Sequence, residues 1–187
     1  AGPGFLLGIC GGAVFASPRA GAALYLIHVA SALFTGILLT RRLPPLSAPF
    51  SAGAAPHRTA SLSAALPAAV QGALAGILNV CAFVVFFTVC TRLLLRALPE
   101  SFAFSLPCAL LIGFFELTSG VTALPPTRAG FLACAALLAW GGLSVHCQTL
   151  SALSASALSA RYYLRAKAAQ ALLSVILSLP ALPFLFP

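Results

Sequence analysis

The stretch Ala139-Trp140-Gly141-Gly142-Leu143-Ser144-Val145-His146-Cys147-Gln148-Thr149 decides how this chain is read. Two adjacent glycines interrupt an apolar run, and a hydroxyl, an imidazole and an amide follow. A companion interruption lies upstream, at Phe115-Glu116-Leu117-Thr118-Ser119-Gly120, and holds one of only two acidic residues in the protein. Polar groups in so apolar a chain are costly unless they are paired or face water. Both stretches therefore need a partner or a task.

The composition sets that apolar context. The chain is 61% hydrophobic and only 6% charged, with mean hydropathy +1.08. A soluble domain carries roughly 25% charged residues, so this is a polytopic membrane protein. One span needs ~20 apolar residues, and the length allows about five or six segments, some incomplete. The expected fold class is all-α: a polytopic membrane helical bundle with broken or re-entrant helices, forming a single membrane domain over 1–187. The net charge of +8 does not indicate a nucleic-acid partner. Its basic residues are scattered at segment ends (Arg41, Arg42, Arg92, Arg96, Arg161, Arg165, Lys167), where they anchor against lipid headgroups. Membrane lipids are thus expected partners. The six cysteines lie in apolar stretches without a CxxC pair, so they read as small buried hydrophobes. No metal, cofactor or disulfide framework is expected.

Along the chain, Phe5 to Ala16 is apolar but too short to span, and reads as a half-helix ended by Ser17-Pro18-Arg19. Ala20 to Leu39 is a full span with His28, Ser31 and Thr35 on one face, which should look into the bundle. The Pro-rich stretch 43–67 reads as an exposed irregular loop. Ala68 to Arg96 is a second span, with Gly72-x-x-x-Gly76 as a close-packing motif and Asn79 on the same face. Ala129 to Trp140 is again too short to cross. With the Gly141-Gly142 break and a following helix to about Ser159, it predicts a helical hairpin or broken span near 129–159. Ser144 is expected to cap the second helix, with Ser144, Gln148 and Ser151 on one face. Arg161 to Lys167 reads as an interface anchor, and Ala168 to Pro187 as a last span with Gln170, Ser174 and Ser178 aligned. The chain contains no Met and opens without a basic n-region or cleavage site. It therefore reads as a fragment rather than as a chain with a secretory signal.

The two breaks carry the chemistry. Glu116, flanked by Phe114, Phe115 and Leu117, should lie deep. It must be protonated, paired with a donor such as His146, or facing a wet cavity. A helix N-terminus at Gly141-Gly142 followed by Ser144 suits an anion, and His146 could pair with Glu116 or with a substrate acid. No enzyme is expected. The chain has no Asp, no GxSxG and no HExxH, and Ser144 and His146, two apart on a helix, do not face each other.

Phe115–Gly120 and Trp140–Gln148, with Gly8–Arg19 and Tyr163–Lys167, resemble the C-terminal half of YlbJ-type sporulation integral membrane proteins. These carry a nucleoside-recognition or gate domain similar to parts of concentrative nucleoside transporters. The resemblance implies a transporter-like protein of a bacterial cell or forespore membrane that moves a small anionic aromatic solute such as dipicolinic acid. Its substrate-binding residues would be Glu116, Thr118, Ser119, Gly120, Gly141, Gly142, Ser144, His146 and Gln148. It also implies that a matching N-terminal half, or a second copy, completes the unit. The alternative is a non-transporting membrane scaffold needed for assembly of the spore envelope, with polar breaks that only hold helices together.

Overall fold

A computed structural model describes residues 1–41, 61–153 and 159–186. Of these residues 87% are helical and none lies in a strand, which makes the chain an all-α protein. In chain order the elements are a π-helix at Phe5–Val14, α1 at Pro18–Thr40, α2 at Leu62–Arg96, α3 at Glu100–Ala103, α4 at Leu106–Phe115 and α5 at Leu117–Thr122. Then follow α6 at Arg128–Trp140, α7 at Gly142–Leu153, α8 at Ala160–Ser178, a 3-10 turn at Leu179–Ala181 and α9 at Leu182–Leu185. Among the described residues four segments are long and apolar enough to cross a membrane: Pro18–Thr40, Leu62–Arg96, Arg128–Ser151 and Ala160–Leu185.

Local chemistry starts and stops these helices. Ser17 caps α1, its hydroxyl accepting from Ala20 N at 3.2 Å, with Pro18 in the first position where its missing N–H does no harm. Ser105 caps α4 in the same way, from Cys108 N at 3.3 Å, so Pro107 helps begin that helix rather than interrupting it. Thr127 caps α6 through Gly130 N at 3.2 Å. Gly141, at φ +97°, ends α6 in the left-handed conformation and returns its N–H to Leu137 O at 2.7 Å.

The π-helix folds back on α1 where two glycines meet. A methyl on Gly11 would stand 2.8 Å from Gly21 Cα, so neither position has room for a side chain. Leu6, Cys10, Phe15, Leu24, Leu117, Val121, Phe131 and Leu138 form the core around this contact. Phe15, Phe131 and Phe186 meet edge to face with centroids 5.7, 5.8 and 6.3 Å apart. Of the polar face predicted for α1, His28 is half-buried and Ser31 and Thr35 are buried. So are Gln170, Ser174 and Ser178 of α8, which packs on both α1 and α6. Ser174 donates to Ala135 O of α6 at 3.1 Å and Ser178 to Ser174 O at 2.7 Å. Ser31, Ser174 and Ser178 satisfy themselves on carbonyls and leave the helices free to approach closely, while the buried Thr35 hydroxyl has no partner among the described residues.

Three expectations change. The loop placed at 43–67 ends earlier, because α2 begins at Leu62 and carries Pro67 inside it; positions 43–60 lie outside the described residues. The Gly72-x-x-x-Gly76 motif packs nothing within 4 Å among the described residues, and Thr91 is the buried residue of α2. The element near 129–159 is a broken span and not a hairpin: α6 packs on α8 and α1, while α7 packs on α2 and α4. Its continuation toward Ser159 passes through 154–158, outside the described residues. The tight reversal occurs instead at the first break. There α4 and α5 fold against each other around the single extended residue Glu116, at φ −135° and ψ 115°.

Candidate functional site

Glu116 is the link between α4 and α5, and its side chain organises the turn. It is 3% exposed. Oε1 accepts from Thr118 N at 2.9 Å and Oε2 from Ser119 N at 2.7 Å. The carboxylate therefore caps α5 from within the chain, satisfying two N–H groups that a helix start leaves without partners. It does not pair with His146. Of its neighbours on the sequence-derived list, Thr118 is exposed, Ser119 is half-buried, and Gly120 is buried against Gly113. A methyl on Gly120 would overlap the backbone of Gly113, which is how α4 and α5 lie so close.

The second break packs directly on the first. Gly142 has φ +76°, and a methyl there would stand 3.0 Å from Gly113 O, 3.1 Å from Leu117 N and 3.4 Å from Phe115 O. The two interruptions expected to be companions are thus in backbone contact, with no cavity between Gly142 and the turn at Glu116. Glycine is required at 142 both for the left-handed backbone and for this approach. Ser144 is not the cap of α7. The helix begins at Gly142, and the buried Ser144 hydroxyl accepts from Gln148 Nε2 at 3.2 Å one turn on.

His146 sits in a separate aromatic nest. It is 2% exposed, and its Nδ1 lies 3.0 Å from the Tyr163 hydroxyl. Its ring meets Trp140 edge on at 4.4 Å and Tyr163 at 5.4 Å, and Trp140 in turn stacks on Phe114 at 5.7 Å. Two buried ring nitrogens in this nest, His146 Nε2 and Trp140 Nε1, have no hydrogen-bond partner among the described residues. Lys167 passes nearby: its Cε would lie 4.0 Å from a methyl on Gly141, and its Nζ donates to Gln170 Oε1 at 3.0 Å.

The structure therefore divides the nine predicted residues. Glu116, Gly120 and Gly142 gather at the apposed breaks, Ser144 and Gln148 hold each other, and His146 belongs to the aromatic nest. Sequence reasoning missed Gly113, Tyr163 and the Trp140 ring. Gly113 could have been found as the glycine on the far side of Glu116 from Gly120, since a chain that reverses in one residue needs small partners on both arms. Tyr163 was hidden inside a basic, aromatic stretch that reads as a headgroup anchor.

Tyr163→Phe should report on the nest. It leaves His146 Nδ1 buried without its partner, which costs about 1–2 kcal/mol and should lower the melting midpoint by about 5 °C. The fluorescence of Trp140, the chain's single tryptophan, should change with it. An unaltered spectrum and midpoint would show that the hydroxyl contributes nothing. Among the described residues no group of three or more His, Cys, Asp or Glu is placed to hold a metal ion. Comparison with protein-family profiles, curated proteins and solved structures finds no match to this chain.

Proposed function

We propose that this chain is the gate-type unit of a membrane solute transporter, with the crossing of its two broken helices as the moving part. The observation that carries the proposal is that crossing: Gly142 lies on the backbone of the turn at Glu116, and the aromatic nest beside it holds two unpartnered ring nitrogens. Non-helical backbone at membrane depth is tolerated where it is enclosed by protein or lines a path for solute, and broken helices are a recurring means of building such paths. The indole N–H donates, and the imidazole can donate from Nε2 while Tyr163 donates to Nδ1. A carboxylate-bearing solute would satisfy both, and the face of Phe114, 43% exposed, would lie beside its apolar part. A small anionic aromatic solute such as dipicolinic acid, moved across a spore-surrounding bacterial membrane, is the substrate and setting that the resemblance to YlbJ-type proteins implies.

The test is transport in reconstituted vesicles loaded on one side with dipicolinate. His146→Ala should reduce the initial rate by about ten-fold, the effect of losing one well-placed hydrogen bond worth about 1.4 kcal/mol. Protein abundance and helicity should stay near wild type. Wild-type rates in His146→Ala and in a Trp140→Phe variant would remove this reading.

The scaffold alternative rests on a different observation, the internal satisfaction of Glu116 by its own helix. Under it, vesicles containing the wild-type protein take up no more dipicolinate than empty ones, and His146→Ala alters stability alone.

A further inference from the structure

The groove between α2 and the α4–α5 reversal holds polar groups that the fold leaves unused. A cavity of about 270 Å³ opens there, lined by Thr88, Thr91, Arg92, Leu95, Ile112 and Ser119. Thr91 is already committed, its hydroxyl donating to Phe87 O at 2.7 Å. Thr88 and Ser119 are half-buried, and neither hydroxyl has a hydrogen bond to a described residue. Arg92 likewise makes no hydrogen bond or ion pair with any described residue. The two acids do not neutralise it. Glu116 is held by Thr118 N and Ser119 N, and Glu100 is exposed at the start of α3.

We propose that this groove binds an oxyanion, a phosphate or carboxylate group. Arg92 clamps two of its oxygens, and the hydroxyls of Thr88 and Ser119 donate to the others. A guanidinium presents its N–H groups as a planar fork that matches two oxygens of one anion. Leu95 and Ile112 give the groove apolar walls on either side of these polar groups. The groove borders the turn at Glu116 through Ser119, but no residue of 141–148 lines it, so it is separate from the nest of Trp140 and His146 that the transport reading invokes. The same chemistry is offered by an anionic phospholipid headgroup and by a free anion. A neighbouring hollow of about 350 Å³ shares Arg92 with Arg96, and the exposed Val89 and Leu93 beside it would accept acyl chains.

The experiment uses the whole protein in phosphatidylcholine nanodiscs. In one arm the discs also contain phosphatidylglycerol, and native mass spectrometry counts the phosphatidylglycerol that stays bound. In the other arm the lipid is phosphatidylcholine alone, and inorganic phosphate is titrated calorimetrically at low ionic strength. Whichever arm gives binding, Arg92→Gln should weaken it about ten-fold or more, and Thr88→Val and Ser119→Ala about three-fold each. The exposed Arg92 side chain has no internal bonds to lose, so these variants should keep the wild-type melting midpoint. Arg92→Lys separates a built clamp from a simple interface charge: the clamp requires it to bind more weakly than wild type. Retention of phosphatidylglycerol alone identifies a headgroup site, and phosphate binding alone identifies a free-anion site. The proposal is overturned if neither anion binds, if Arg92→Lys binds as wild type does, or if Thr88→Val and Ser119→Ala leave affinity unchanged.

Discussion

Gly120→Val is expected to leave little folded protein. At this position a first carbon would already overlap Gly113 Cα and N and stand 3.0 Å from Ala109 O. The obstructing atoms are backbone on both sides, so no side chain can swing away, and α4 and α5 would have to separate. Overpacking in a core with some slack costs about 1–3 kcal/mol; here the cost should exceed that range, because relief means losing the reversal itself. Separation also strips Gly142 of its bed on Gly113 O and Leu117 N, so the second break should loosen with the first. We expect the melting midpoint to fall by more than about 10 °C, with most of the protein aggregating during detergent extraction. Gly72→Val is the matched control, since nothing lies within 4 Å of that glycine, and it should extract and melt like wild type. If Gly120→Val also behaves like wild type, the α4–α5 contact is not part of the native packing.

Glu116→Ala should be the next most damaging change. The side chain accepts two backbone N–H groups at 2.9 and 2.7 Å while itself only 3% exposed. Removing it leaves both donors without their acceptor at the positive end of α5. Each hydrogen bond to a charged acceptor is worth roughly 1.5–3 kcal/mol, and the combined loss should come to about 3 kcal/mol. The graded series makes the cause visible. Glu116→Asp remains a competent cap and should retain most of the stability. Glu116→Gln offers one acceptor oxygen in place of two and should fall between Asp and Ala. A Gln variant as stable as wild type but defective in dipicolinate uptake would show that this carboxylate serves the solute and not the helix.

Membrane character and some helix boundaries were legible in the sequence because they are local. Twenty-residue apolar runs, the break at Ser17-Pro18 that ends the first half-helix and Gly141 at one helix end carry their own physical reasons. The inward face of α1 was legible too, since Ser31 and Thr35 can be placed by helical period alone. What was not legible is which break turns back on itself. Gly141-Gly142 looked like the sharper interruption, yet the reversal belongs to Glu116, a residue with no special backbone preference. The decision rests on Gly113, Gly120 and Gly142 meeting across three elements, and no spacing rule reports such a meeting. The partner of His146 was hidden for the same reason, because Tyr163 lies on another helix.

The length of α2 ties this protein to the membrane around it. A helix of 35 residues is about 52 Å long, against a hydrocarbon layer of about 30 Å. Among the described residues its sides are almost bare of protein, and a helix longer than the hydrocarbon layer is accommodated by tilting, by kinking or by locally thickening the bilayer. Where it tilts, a thicker bilayer would leave it more upright and a thinner one more inclined. The angle at which it crosses α4 and α7 would change accordingly.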